Sequence, residues 1–291
     1  MLAWRDDESF EIGAIEYACR PTGRRFRSEP GHFCLLKARG EVEQYEQLLH
    51  HLESKRIVEV GTYDGASAAL FAEITQPEKL VTIDRRSTPS EALTHFIATR
   101  GLGKTVSAYC GVDQANARRL REILDAEFDG EPIDLVVDDA SHLVEPTRAT
   151  FNCLFPRLRA GGAYVIEDWS WAHTATVGPW LTTDETPLTV FVFELVMACA
   201  HLPKVVSNVN VFGNIVLITR GAADLDPAGF DVSNCYGARG GALLARPEPI
   251  PMPSRRRAQP GADLHHATSG PWVMAARIPR PDAASGARAL I

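Results

Sequence analysis

The stretch Ile57-Val58-Glu59-Val60-Gly61-Thr62-Tyr63-Asp64-Gly65-Ala66-Ser67 runs from an apolar strand through a glycine turn into a helix-forming segment. Glycine lets the backbone turn sharply and lets a ligand come close to it. The helix that follows opens with free N–H groups. In an open α/β sheet, such a turn at the carboxyl end of the first strand is where ligands bind. A dinucleotide-binding turn would read G-x-G-x-x-G. Here the middle glycine is absent, Tyr63 occupies the turn, and Glu59 places negative charge where a pyrophosphate would suffer. A cationic, amino-acid-like ligand would gain from that same charge.

Working outward, apolar runs alternate with helical stretches. The runs are Ile57–Val60, Leu80–Ile83, Val106–Tyr109, Ile133–Val137 and Ala163–Ile166, and the helices between them span Ser67–Ile74, Ser90–Arg100, Gln114–Phe128 and Pro146–Leu158. This alternation predicts parallel strands joined by right-handed crossovers. Strands that are apolar throughout imply helices on both faces. Upstream, Val42, Tyr45, Leu48, Leu49 and Leu52 share one face of a helix over Glu41–Leu52. Downstream, Pro187–Ala200 reads as a helix, and Val205–Val211 and Ile215–Thr219 read as a hairpin across Phe212-Gly213-Asn214. The expected fold is α/β and Rossmann-like: a doubly wound, mostly parallel seven-stranded sheet with a terminal antiparallel hairpin. Residues 1–40 lack a clear period and are expected to be an extension acting as a lid or oligomer contact. Residues 41–222 form the main domain and 223–291 a C-terminal extension. From about 246, prolines, Arg255-Arg256-Arg257 and small residues predict a poorly ordered tail.

With 291 residues, 45% of them hydrophobic and 23% charged, the chain has the makings of a sizeable core. A net charge of −7 gives no general attraction to nucleic acid or to anionic membranes. No basic leader precedes an apolar segment at the N-terminus, and the longest apolar candidate, Leu188 to Ala200, is short of the roughly 20 residues of a spanning helix and contains Glu194. A cytoplasmic protein is expected. The six cysteines, at 19, 34, 110, 153, 199 and 235, have neither zinc-site nor disulfide-framework spacing.

Two carboxylates follow the next strands. Asp84 ends Val81-Thr82-Ile83-Asp84, where a carboxylate can accept both ribose hydroxyls of an adenosine. Asp113, with Gln114 beside it, follows the third strand. Each alone reads equally as a helix N-cap; three carboxylates at the ends of three successive strands point to one ligand. The fourth strand runs into Asp138-Asp139-Ala140-Ser141-His142 and the fifth into Glu167-Asp168-Trp169. A parallel sheet brings both segments to one edge. Clustered carboxylates need a cation or protons, and hard oxygen donors without cysteine favour Mg²⁺. The expected chemistry has Asp139, Glu167 and Asp168 holding Mg²⁺, which acidifies and orients a substrate hydroxyl. His142 removes its proton as general base. One of Asp138 and Asp139 reads equally as a helix cap, His173 is a rival base, and Trp169, Trp171 and Trp180 read as pocket walls or as core and lid.

The pattern E-x-G-x-x-x-G resembles the first motif of class I S-adenosylmethionine-dependent methyltransferases. Asp139-Ala140-Ser141-His142 and Ile166-Glu167-Asp168 resemble the D-x-S-H and [IV]-E-D motifs of Mg²⁺-dependent sugar O-methyltransferases of macrolide biosynthesis and of cephalosporin-tailoring relatives. The resemblance spans roughly Val42 to Arg220. Ala140 stands where glycine is common, and the Trp-rich stretch after Asp168 has no counterpart. The resemblance implies S-adenosylmethionine contacts at Glu59, Gly61, Thr62, Tyr63, Gly65, Ser67, Asp84, Arg85, Asp113, Gln114 and Asp138. It implies metal ligation by Asp139, Glu167 and Asp168, and catalysis by His142 with Asp139. A small-molecule acceptor, a sugar-bearing or polyhydroxylated natural product, and a homo-oligomer are expected, with neither nucleic acid nor membrane as partner. Other readings are a metal-independent N- or carboxyl-methyltransferase and a non-catalytic S-adenosylmethionine-binding subunit. An NAD-dependent oxidoreductase is disfavoured by the missing glycine.

Overall fold

A computed structural model describes residues 2–19, 27–52, 54–173 and 186–237. Trp180, the tail from 246 and Arg255-Arg256-Arg257 lie outside the described residues.

Residues 1–40, read from the sequence as an extension without a clear period, hold a four-stranded sheet. Its strands are β1 (Ala3–Trp4), β2 (Ser9–Ile12), β3 (Ile15–Cys19) and β4 (His32–Leu35), in that spatial order. β2 and β3 form a tight hairpin across Gly13-Ala14, with Gly13 at φ +60°, and β4 pairs with β3 in parallel. The register places Trp4 opposite Phe10, Phe10 opposite Tyr17 and Tyr17 opposite Phe33. Their rings follow one another at 4.8, 5.0 and 5.7 Å, and Phe33 meets Phe96 edge-on at 5.9 Å. Cross-strand aromatic pairs of this kind stabilise both the register and the docking. The sheet thus shares a core with the main domain, and residues 1–244 form one compact unit.

The main sheet is built from β5 (Arg56–Val60), β6 (Lys79–Asp84), β7 (Val106–Cys110), β8 (Ile133–Asp138), β9 (Leu158–Glu167), β10 (Val206–Val211) and β11 (Ile215–Arg220). The order is β10-β11-β9-β8-β5-β6-β7. β5 to β9 pair in parallel, and β11 and β10 are antiparallel additions at the far edge. The expected seven-stranded, mostly parallel sheet with its terminal hairpin is what forms. The helices are α1 (Arg39–Leu52), α2 (Ala66–Thr75), α3 (Glu91–Thr99), α4 (Ala117–Phe128), α5 (Val144–Leu154) and α6 (Thr189–His201). One apolar layer gathers α1, α2, α3 and the N-terminal sheet, and the other gathers α4, α5 and α6. Among the described residues, no helix is long and apolar enough to cross a membrane.

Three boundaries differ by three residues or more from the sequence-based expectation. α4 starts at Ala117 rather than Gln114, because the Asn116 side chain accepts from the Arg119 backbone N–H and caps the helix there. The helix expected to reach Leu158 ends at Leu154, and Phe155–Arg157 is a short 3₁₀ turn. β9 then begins at Leu158, five residues before the expected Ala163. Gly161 (φ +76°) and Gly162 sit inside the strand, where the pairing with β8 is irregular.

Candidate active site

Register sets the site. Val60 lies opposite Asp138, Asp138 opposite Ile166, and Glu167 opposite Ile215. The residues just past these positions therefore line up along one edge: Gly61, Asp139, Asp168 and Asn214. The strand order reverses between β5 and β8, the switch point at which open α/β sheets bind ligands. Pleat alternation then sorts the side chains. Glu59, Asp139 and Glu167 face the layer containing α1, whereas Asp138 faces the layer containing α4 and α5.

The glycine turn is tight for two reasons. Gly61 has φ +99°, and a Cβ there would overlap the Asp139 carbonyl; Gly65 has φ +81°, and a Cβ there would meet Leu93. Gly61 therefore serves the junction between β5 and β8 before it serves a ligand. Gly65 leads α2 without a side-chain cap, so the helix presents its N–H groups to the turn. Glu59 is 1% exposed; Oε1 accepts from the Ser67 hydroxyl, and Oε2 has no partner. Burial pushes its carboxyl up to about 8. The Thr62 hydroxyl is also buried without a partner. A buried, unmatched carboxylate oxygen beside a glycine turn fits a cationic ligand group.

Asp84 Oδ2 accepts from the Tyr63 backbone N–H at 2.7 Å, and Oδ1 accepts from the Arg86 backbone N–H at 2.7 Å. Arg86, exposed like Arg85, reaches Asp64 and lies over the half-exposed Tyr63 ring at 5.0 Å. Asp113 is exposed and accepts from the Ala115 backbone N–H at 2.9 Å. Gln114 is turned inward: its amide donates to Asp138 Oδ1 and Thr150, and its oxygen accepts from the Ser141 N–H at 2.9 Å. Asp138 is 2% exposed, accepts from the Tyr164 hydroxyl at 2.7 Å, and is pushed up by burial to about 7. The structure thus brings Glu59, Gly61, Thr62, Tyr63, Gly65, Ser67 and Asp84 together. It uses Gln114 and Asp138 as an internal brace behind Ser141.

The carboxylates beyond β8 and β9 divide into two halves. In the inner half, Glu167 Oε1 accepts from the Tyr45 hydroxyl at 2.6 Å, and Oε2 accepts from Lys37. Lys37 also donates to Asp139 Oδ2 at 2.9 Å. Burial opposes the Lys37 charge, but Asp139 and Glu167 outweigh it and hold the ammonium above the usual lysine range. In the outer half, His142 Nε2 stands 3.9 Å from Asp139 Oδ1 and 3.9 Å from Asp168 Oδ2. Ligand atoms of Asp139, His142 and Asp168 all lie within 4.8 Å of one another, a spacing that could hold a metal ion. His142 and Asp168 both have φ +56°, and the His142 ring rests on Trp171 at 4.3 Å between centroids. Asn214 donates to Asp168 Oδ1 and accepts from Ser170 at 3.1 Å. The exposed His173 lies outside the cluster, paired with Thr189. Trp169 donates to the Phe212 carbonyl at 3.3 Å and leans on the core.

Sequence reasoning missed Lys37, Tyr45 as a polar partner, Arg86 and Asn214. Tyr45 carried a signal, since a tyrosine on a core-facing helix stripe needs a partner for its hydroxyl.

Residues 58–169 match a family described as a methyltransferase domain. Among curated relatives, the 8-demethyl-8-alpha-L-rhamnosyl tetracenomycin-C 2'-O-methyltransferase of Streptomyces olivaceus is 46% identical over 56 residues, 19% of this chain and 14% of the relative. The demethylmacrocin O-methyltransferase of Streptomyces fradiae is 57% identical over 37 residues, 13% of this chain and 9% of the relative. The matched segment is thus a small part of either protein. The mycinamycin-pathway methyltransferase MycE, solved with Mg, SAH and mycinamycin VI, aligns at 23% identity and a TM-score of 0.48, covering 62% of this chain and 49% of that one. Residues 58–169 are thus similar to a methyltransferase domain.

Proposed function

We propose that this chain transfers a methyl group from S-adenosylmethionine to a hydroxyl of a small, sugar-bearing natural product. The observation that carries the reading is the adjacency of two features: a glycine turn with an unmatched Glu59 oxygen, and a cluster in which His142 sits between Asp139 and Asp168. The names of two short-range relatives, a rhamnosyl tetracenomycin-C 2'-O-methyltransferase and a demethylmacrocin O-methyltransferase, support the acceptor class.

When bound, S-adenosylmethionine supplies an activated methyl group, and Mg²⁺ supplies positive charge that acidifies and orients the acceptor oxygen. The uncapped N-terminus of α2 would hold the cofactor's carboxylate and Glu59 its ammonium, while Asp84 would accept from the ribose. Asp139 and Asp168 fit a hard divalent ion through oxygens turned toward each other. Glu167, also expected as a ligand, is bonded to Lys37 and Tyr45. His142 Nε2 takes the proton of the acceptor hydroxyl as it attacks, a general-base contribution of about 10²–10⁴-fold. Trp171 keeps the His142 ring in place and helps exclude water. Holding two reactants in line is the largest service of the site, because the donor is already activated.

The test is transfer of label from methyl-labelled S-adenosylmethionine to rhamnosylated or macrolide acceptors. Transfer is expected, is abolished by EDTA and by Asp139→Ala, and EDTA-treated wild type is restored by Mg²⁺. Transfer that survives both treatments would remove the metal and favour the metal-independent alternative.

A further inference from the structure

The acidic cluster contains a cation of its own. Lys37 lies in the link between β4 and α1, with only 5% of the residue exposed. Its ammonium bridges Asp139 Oδ2 and Glu167 Oε2, and Tyr45 closes the other Glu167 oxygen. Both oxygens of Glu167 therefore have strong partners within a region where the residue itself is 3% exposed. Asp139 is divided: one oxygen serves the lysine and the other faces His142 and Asp168.

We propose that Lys37 is the resident cation of the inner half, that it keeps Glu167 outside the ligand set of the divalent ion, and that it is a positioning residue for Asp139. The proposal rests on the metal reading above only for its second clause. Three physical points carry it. Mg²⁺ binds oxygens at about 2.0–2.1 Å in near-octahedral geometry. To ligate Glu167 it would have to displace the ammonium or the Tyr45 hydroxyl. Neither has water to retreat to, and a displaced buried lysine loses both counter-charges, leaving an uncompensated buried charge. Leaving Lys37 in place, the ion's protein ligands reduce to Asp139 Oδ1 and Asp168, with the other positions open for water and for substrate oxygens. Lys37 fixes the rotamer of Asp139 that points Oδ1 outward. The N-terminal sheet that delivers Lys37 is then a component of the site. A second contact agrees: the Ser28 backbone N–H donates to Asp64 Oδ2 in the glycine turn at 3.2 Å.

Two measurements on the full chain test this. The first is Mn²⁺ affinity, by calorimetry and by the electron paramagnetic resonance of free Mn²⁺. Glu167→Gln keeps the side-chain shape and leaves the Lys37 bond to Asp139 in place. It is expected to bind Mn²⁺ within about threefold of wild type, whereas Asp168→Asn, a true ligand change, weakens binding by about tenfold or more. A tenfold loss in Glu167→Gln would overturn the exclusion of Glu167. The second measurement is thermal melting in EDTA, which needs no metal. Lys37→Met alone is expected to melt well below wild type, and adding Glu167→Gln is expected to recover at least half of the loss. A single variant that melts like wild type, or a paired variant that recovers nothing, would overturn Lys37 as the resident cation. Wild type that binds no Mn²⁺ would end the metal part of the proposed function, and the melting comparison would then decide the Lys37 assignment by itself.

Discussion

Lys37 Nζ donates to Asp139 Oδ2 at 2.9 Å across 102 residues of chain. The contact joins the N-terminal sheet to the end of β8, so the geometry of the carboxylate cluster depends on how firmly that sheet is docked.

Docking runs through Phe33, four residues before Lys37, whose ring meets Tyr17 and Phe96. Phe33→Ala is expected to destabilise the chain by about 3–5 kcal/mol, as for other buried phenylalanines. Denaturant unfolding would show it, and a loss below about 1 kcal/mol would mean that the sheet is held elsewhere.

Asn214 anchors Asp168 from the hairpin turn. Asn214→Ala leaves one Asp168 oxygen without its donor and frees the carboxylate to rotate. On the proposed metal reading Asp168 is a ligand; partners of ligating groups are typically worth about 10–100-fold in activity or metal affinity, and that range is expected here with little change in melting temperature. Steady-state kinetics with Mn²⁺ titration would check it; an Asn214→Ala enzyme with wild-type kinetics contradicts it.

The glycines separate strain from collision. Gly111 (φ +72°) has open space where a Cβ would sit, so Gly111→Ala is expected to cost only backbone strain, about 1–2 kcal/mol. At Gly61 the same strain is joined by overlap with the Asp139 backbone, adding about 1–3 kcal/mol. Equal destabilisation of the two variants in urea would show that the β5–β8 junction yields easily.

Glu59 makes stability depend on pH. Its folded-state value of about 8 lies above the ordinary 4.5 because of burial. Between those values the folded protein holds a proton that the unfolded chain has released. The stabilisation from this group is therefore full below about 4.5, declines as pH rises, and is gone above about 8. Asp138, raised to about 7 by burial, acts with the same sign over a lower window. The Glu59→Gln variant is expected to lose less melting temperature than wild type between pH 5 and 8.5; parallel curves would exclude Glu59 as the source. S-adenosylhomocysteine binding at pH 7 is expected to release protons, seen as a buffer-dependent heat, as its ammonium favours the carboxylate.

Much of the site was legible because parallel strands place their carboxyl ends together. Reading Val60, Asp84, Val137 and Ile166 as strand ends was enough to foresee a glycine turn beside a carboxylate cluster. The hidden parts depend on contacts that have no local trace. Lys37 follows an apolar run and looks like the solvated start of a helix; only its partners at 139 and 167 reveal it. The alternation of Phe10 and Ile12 with Ile15 and Tyr17 about Gly13-Ala14 was present, but strands of four or five residues give little periodicity. Gln114 looked like a ligand neighbour because it follows a strand. Asn116 takes the cap instead, which leaves Gln114 free to turn inward.

The link between Lys37 and Glu167 also has a consequence in time. The two residues are 130 positions apart, and synthesis at about 5–20 residues per second separates their appearance by roughly 6–26 s. During that interval the nascent chain carries a lysine destined for burial whose counter-charges are incomplete, Asp139 arriving after 102 residues and Glu167 after 130. The N-terminal sheet can pair its own strands early, but it cannot seat its last link against the domain until β9 has left the ribosome. A chain stalled before residue 167 is therefore expected to remain unlatched at its N-terminus, although the first half of the latch is made first.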